Sequence, residues 1–419
     1  MIGSLSMIVR RSLRLHALST AVTAVSIALS AGLAMAVFSI SAQSSTAFGG
    51  GKGGWDAVLG AKGSATQLVL NTVYHLETSP GNVPWAMYQA LEEDPRVTLA
   101  VPYAVGDNYK GYRIVGTTPE LFTEFEYTEG KRYELVPDQI FDPLRGEAIL
   151  GATAARELGM KRGDHFMPYH GVTYHEGAEQ HQVDYVVISV MEPTNTPADK
   201  VIWIPIEGIF RMPGHVFFGD EGEVIEAGLG RELADEHKEI SAVMLQLGNP
   251  RSGQMMSFEV NRQGDQATLV WPVAAVMAKL IKDLGWVNRI LEAVAYLIVV
   301  VASGALLASL YNTMNERRRE FAILRALGAR SQTVFAVIVA EAATIAFLGA
   351  ALGFVVYFGI LALAASIVKD STGVVLDLGL IHPSLYWTPL VMVVLGALAG
   401  LLPAFKAYST DVAGNLTRS

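Results

Sequence analysis

Four of the nine histidines fall within 17 residues, as His165, His170, His175 and His181, with Asp164, Glu176 and Glu179 among them. Imidazole nitrogens and carboxylate oxygens are ligands for zinc and copper, so this segment is the chain's candidate metal site, with Zn or Cu as the ion. It lacks the zinc-protease pattern, because His-Glu-x-x-His needs two histidines one helical turn apart and His175 and His181 are six apart. A polar loop joining two strands accounts for the same composition without a metal. The chain has no cysteine, which removes disulfides, thiolate metal sites and cysteine nucleophiles. The glycine-rich stretches Gly49-Gly-Gly-Lys-Gly-Gly54 and Gly60-Ala-Lys-Gly-Ser64 do not have the Gly-x-x-x-x-Gly-Lys-Ser/Thr order that wraps a phosphate, and they read as linkers. No catalytic residue is expected.

The elements that must position these residues are of two kinds. The chain has 419 residues, is 51% hydrophobic and has a mean hydropathy of +0.34, too apolar for an ordinary soluble protein and too charged to be embedded throughout. Residues 43–285 hold 19 Lys and Arg against 33 Asp and Glu, a net charge of −14, whereas the remainder carries +5. An acidic soluble domain on a basic membrane part follows, and its sign argues against nucleic acid as a partner.

Four segments are long and apolar enough to cross a bilayer, which takes about 20 helical residues. They are 17–42, 287–311, 331–366 and 386–408. The third is interrupted only by Glu341 and contains no turn signal, so it is expected as one tilted helix. Glu341 is an intramembrane polar residue; it must face protein, a cleft or the headgroup level, and a structural role is favoured over proton relay. The first segment is expected to be retained, since its apolar run exceeds the ~7–15 residues of a cleaved signal. Arg10, Arg11 and Arg14 precede the first span, Arg317, Arg318, Arg319, Arg325 and Arg330 lie between the second and third, and Lys406 and Arg418 close the chain. Positive charge stays inside, so the segments 1–16, 312–330 and 409–419 are cytoplasmic and both termini lie there. The domain 43–271 and the loop 367–385 face outward. Gly349-x-x-x-Gly353 and Gly396-x-x-x-Gly400 suit close packing within the bundle.

Short strand-like runs (57–59, 97–101, 112–115, 148–150, 185–190, 201–204 and 242–247) alternate in the outer domain with helical ones at 83–93, 152–158 and 253–261. The fold class is therefore an α+β membrane protein: four transmembrane helices with a large mixed α/β domain between the first two. Val273, Val276, Met277, Leu280, Ile281 and Leu284 recur at helical spacing and run straight into the second span. Residues 272–286 are expected as a stalk helix; the alternative is an amphipathic helix packed on its own domain.

Between the second and third spans lies Asn315-Glu-Arg-Arg-Arg-Glu-Phe-Ala-Ile-Leu-Arg-Ala-Leu-Gly-Ala329. On a helix Phe321, Leu324, Leu327 and Gly328 form an apolar stripe with Ile323 beside it, and the arginines, Glu316 and Glu320 cover the rest. A positive-inside anchor explains the arginines but neither the glutamates nor the stripe. Here the sequence resembles the permease subunits of ABC transporters of the MacB/FtsX type, the class that includes the lipoprotein-releasing LolC and LolE proteins. The signature is a basic run, then Arg319 to Ala329, then a third span with an early glutamate, Glu341. The likeness extends outward through Gly146-Glu-Ala-Ile-Leu-Gly-Ala, Leu158-Gly-Met-Lys-Arg-Gly-Asp164 and Glu192-Pro-Thr-Asn-Thr-Pro-Ala-Asp199 before Val201-Ile-Trp-Ile-Pro205, which look like the family's periplasmic core domain.

That resemblance implies a bacterial inner-membrane permease, paired with a second copy or a homologous permease and with a dimer of cytoplasmic ABC ATPase subunits that bind the ATP and Mg. The chain itself is then not an enzyme. Residues 315–329 become the coupling helix, with Glu316, Arg317, Arg318, Arg319, Glu320, Phe321, Leu324 and Leu327 as the ATPase contact. The work delivered outside would be extraction of a lipoprotein or lipid, efflux with a periplasmic adaptor, or activation of a periplasmic enzyme. A membrane-anchored sensor or metal-binding protein without an ATPase is the alternative from a different class.

Overall fold

In this computed structural model the described residues are 2–49, 54–175, 177–213, 215–218, 224–226, 233–283, 285–316, 323, 325, 329–372 and 381–408. The chain divides into two compact units, one of residues 45–283 with 368–375, the other of 1–44 with 284–367 and 376–419.

The outer unit is built on one mixed sheet. Its strands cross in the order Ala267–Val270, Ala57–Ala61, Ala242–Leu247, Val97–Tyr109, Tyr112–Thr117, Ile202–Pro205, Glu147–Leu150, Tyr185–Met191 and Leu135–Val136. Neighbours are antiparallel except Tyr112–Thr117 with Ile202–Pro205 and Glu147–Leu150 with Tyr185–Met191. Successive side chains on a strand point to opposite faces, and here both faces are buried. Ile202 and Ile204 join Leu59 and Val243 in one apolar cluster, while Trp203 joins Val58 and Met244 in another. Burial on two sides is why these strands read as unbroken apolar runs rather than alternating ones.

The helix expected from Val83 begins at Trp85, because Val83–Pro84 pairs with Glu239–Ile240 instead. The helix expected at 253–261 runs Pro250–Phe258, started by the Asn249 side chain accepting from the Ser252 N–H at 3.0 Å with proline in the first turn. Val273–Asp283 is helical, and its first turn is held on its own domain. Val273 N–H donates to the Asp56 carbonyl at 3.1 Å, and Val273 and Val276 pack into the cluster around Val58 and Leu68. The next helix starts at Gly285, and residue 284 between them lies outside the described residues.

In the membrane unit the helices Ala17–Gly49, Gly285–Glu316, Ser331–Thr372 and Ser384–Tyr408 contain four stretches long and apolar enough to span a bilayer. An amphipathic helix, Ile2–Leu15, precedes them. Residues 331–372 form one uninterrupted helix. Small residues set the approach. A Cβ on Gly349 would stand 2.7 Å from the Ile27 Cβ, one on Gly353 would stand 3.0 Å from the Ala31 Cβ, and one on Gly400 would stand 2.8 Å from the Ala342 Cβ. Both glycine pairs therefore pack inside the bundle.

Candidate functional site

The strand Val97–Tyr109 carries a register shift between Val105 and Asp107, and such a bulge re-aims the side chains that follow it. Asp107 is fully buried there. Two short segments meet it. Tyr169–His170 pairs antiparallel with the strand so that His170 stands opposite Asp107. Gln180 bridges back to Tyr169, which delivers His181 to the same spot, its own N–H on the Pro168 carbonyl at 2.9 Å. From elsewhere comes His215, which directly precedes the strand Val216–Phe218.

These four side chains converge on one point. His181 Nε2 is 3.1 Å, His215 Nε2 3.3 Å and His170 Nδ1 3.8 Å from Asp107 Oδ1, and His170 Nδ1 is 3.4 Å from His181 Nε2. One ligand atom from each lies within 4.8 Å of all the others. The His181 and His215 side chains are 4% and 12% exposed, whereas that of His170 is 54% exposed and opens the cluster to solvent.

Backbone contacts fix the ring tautomers. His181 Nδ1 faces the Pro213 carbonyl at 2.8 Å and His215 Nδ1 faces the Ile209 carbonyl at 3.2 Å. A carbonyl oxygen can only accept, so each Nδ1 carries a hydrogen and each Nε2 is left to face the carboxyl group. In the absence of a metal, burial works to raise the Asp107 pKa. Hydrogen bonds from His181 and His215 and their charge outweigh it and bring the carboxyl down to about 2. Burial likewise works to lower His181, and the Asp107 carboxylate, helped by the Pro213 carbonyl, outweighs it and raises this imidazole. The pocket thus binds positive charge, as protons on the rings or as a cation among them.

Of the four histidines singled out in the sequence, only His170 and His181 come together. His165 pairs instead through Nδ1 with Asp184 Oδ2 at 2.6 Å, and its strand His165–Phe166 runs against Val186 and Tyr185. His175 is exposed in the turn that follows. Asp107 and His215 were not among the sequence candidates. A polar Asp107-Asn108 pair after Gly106 inside an apolar strand is the one local signal for the first, and a lone histidine after Pro213-Gly214 gives none for the second.

Glu341 is buried in the bundle and accepts a hydrogen bond from Ser12 Oγ at 2.6 Å. Of the expected ATPase-contact residues, Glu316 ends the helix Gly285–Glu316, while Arg317, Arg318, Arg319, Glu320, Phe321, Leu324 and Leu327 lie outside the described residues.

Two family models match the chain: MacB-like periplasmic core domain over residues 20–263, more than half its length, and FtsX-like permease C-terminal over residues 292–412. Among solved structures, the extracellular domain of the noncanonic ABC-type transporter YknZ from Gram-positive bacteria is similar at 12% identity, covering 51% of this chain and 100% of that one with a TM-score of 0.29. The periplasmic region of MacB from Actinobacillus actinomycetemcomitans is similar at 8% identity, covering 55% of this chain and 94% of that one with a TM-score of 0.32. No curated protein matches.

Proposed function

Because the chain belongs to the MacB/FtsX-type family of ABC transporter permeases, we propose that it carries ATP-driven motion from a cytoplasmic ATPase, across the inner membrane, to its outer domain. Family permeases are membrane subunits, and their ATPase is a separate cytoplasmic subunit. In this reading a pair of permeases and a pair of ATPases form the working complex, both termini are cytoplasmic, and the coupling contact is made by Glu316, Arg317, Arg318, Arg319, Glu320, Phe321, Leu324 and Leu327.

One observation supports this most. The helix Val273–Asp283, anchored at its first turn by the Asp56 carbonyl, is separated by a single residue from the helix Gly285–Glu316, which leads to the proposed ATPase contact. A helix transmits displacement where a glycine-rich tether would absorb it. The load outside is a periplasmic partner: a lipoprotein or lipid to be extracted, an adaptor, or an enzyme to be activated.

Replacing Phe321 and Leu324 by aspartate puts charge on the apolar stripe. The doubly substituted permease should lose co-purification of its ABC ATPase and the stimulated hydrolysis while the outer domain stays folded by hydrogen exchange. Full retention of complex and stimulation overturns the assignment.

A further inference from the structure

We propose that the outer domain binds one zinc ion through Asp107, His170, His181 and His215.

Spacing comes first. Zinc held at ~2.0–2.1 Å by four ligands in a tetrahedron sets neighbouring ligand atoms about 3.3 Å apart. The separations around Asp107 Oδ1 are 3.1, 3.3 and 3.8 Å, and His170 Nδ1 is 3.4 Å from His181 Nε2. Four of the six separations are therefore close to those a tetrahedral ion sets, and all six are within 4.8 Å.

Orientation is the second point. Metal-bound imidazoles regularly give their other ring N–H to a carbonyl or carboxylate, which fixes the ring and makes the bound nitrogen more basic. His181 does so with Pro213 and His215 with Ile209. Two Nε2 atoms are thus aimed at one carboxylate oxygen, an arrangement that needs positive charge between them, supplied by protons on the rings or by a cation. Asp107 Oδ2 is also buried with no hydrogen-bond partner among the described residues, although buried carboxyl oxygens are nearly always partnered. A cation shared by both oxygens would satisfy it.

Access is the third. Asp107, His181 and His215 form a buried floor, and the half-exposed His170 is the side from which an ion enters. Three imidazoles with one carboxylate suit zinc better than calcium or magnesium, which prefer all-oxygen shells. Because the ligands come from the strand Val97–Tyr109, the segment 170–181 and the segment before Val216–Phe218, occupancy would pin all three together.

The test uses the full chain in detergent, stripped with a chelator and titrated with zinc, with bound metal counted by mass spectrometry. One zinc per chain is expected, and Co2+ in its place should give the intense visible absorption of a tetrahedral site. His181→Ala and His215→Ala should each weaken binding beyond the ~10–100-fold typical of losing an outer partner. Since these positions are buried, His170→Ala, at a half-exposed position, should also weaken it while leaving the thermal unfolding of the metal-free protein unchanged. His165→Ala and His175→Ala should bind like the parent. The proposal is overturned by an absence of tight zinc binding, by binding indifferent to His215→Ala and His170→Ala, or by binding lost on removing His165 or His175. A weak, six-coordinate cobalt spectrum would also reject the four-ligand set.

Discussion

Ser12 Oγ donates a 2.6 Å hydrogen bond to Oε1 of Glu341, joining the helix Ile2–Leu15 to the long helix Ser331–Thr372 across 329 residues of sequence. Both residues are buried. A carboxyl group in an apolar bundle is expensive unless it is partnered, so this bond is part of what makes the glutamate tolerable. Ser12→Ala is expected to lower the stability of the detergent-solubilised protein by about 1–3 kcal/mol, read as a lower unfolding temperature. Glu341→Gln, which keeps an acceptor oxygen, should fall between the parent and Glu341→Ala. Identical unfolding temperatures for Ser12→Ala and the parent would show that the bond contributes nothing.

Gly349 offers a sharper test of how the membrane helices meet. A methyl group there would stand 2.7 Å from the Ile27 Cβ and 2.8 Å from the Ala24 carbonyl oxygen, and backbone on the neighbouring helix cannot step aside cheaply. Gly349→Ala should cost about 1–3 kcal/mol through overpacking. On the same helix Gly359 has nothing within 4 Å of the equivalent position. Gly359→Ala should be neutral or stabilising by up to ~1 kcal/mol, the gain in helix propensity. Thermal unfolding of the two variants side by side checks both, and equal effects would mean that the packing at Gly349 is not as described.

The asymmetry between these sites and the histidine cluster shows where sequence is legible. Spans announce themselves because a bilayer demands a long apolar run, and a strand buried on both faces such as Ile202–Pro205 does so because burial demands a short one. The segment 165–181 announced itself by histidine density, but density says nothing of direction. Strand pairing turns His170 toward Asp107 and leaves His165 on Asp184. Asp107 lies 74 residues before His181, and His215 lies 108 residues after Asp107. Only the sheet order and the bulge after Val105 bring them together, and no local pattern encodes those.

Asp199 closes the turn that carries the motif Glu192 to Asp199. Its carboxylate accepts from the Thr194 N–H at 3.0 Å, the Asn195 N–H at 2.9 Å and the Thr194 hydroxyl at 2.7 Å, and the turn places Asn195 at φ 57°. Asp199 is 2% exposed, and its bonds to these donors are part-buried. Asp199→Ala removes the acceptor of two part-buried N–H groups and should cost about 1–3 kcal/mol. Asp199→Asn retains one acceptor oxygen and should cost less. Denaturant unfolding of both variants separates the outcomes; equal losses would mean that the second oxygen and its charge contribute nothing.

His75 contributes to the pH dependence of the outer domain. Its Nδ1 is buried without a hydrogen-bond partner among the described residues, and its ring meets Trp203 edge-on at 5.7 Å between centroids. Burial, and then the positive charge of Arg113, hold this imidazole down to about 3, well below its ordinary 6.5. As pH falls below about 6.5 the unfolded chain takes up a proton that the folded one refuses, so stability is full above that pH and declines toward pH 3. The slope is at most ~1.4 kcal/mol per pH unit, reduced by the partial exposure of the residue. His75 also sits at φ 54°, a backbone conformation that asparagine tolerates. His75→Asn should therefore be less stable than the parent at pH 7.5, through the lost ring packing, yet lose less on going to pH 5. Denaturant unfolding at the two pH values gives the difference directly, with the other titrating groups common to both proteins cancelling. A stability gap between variant and parent that does not change with pH would show that His75 does not titrate as a buried neutral ring.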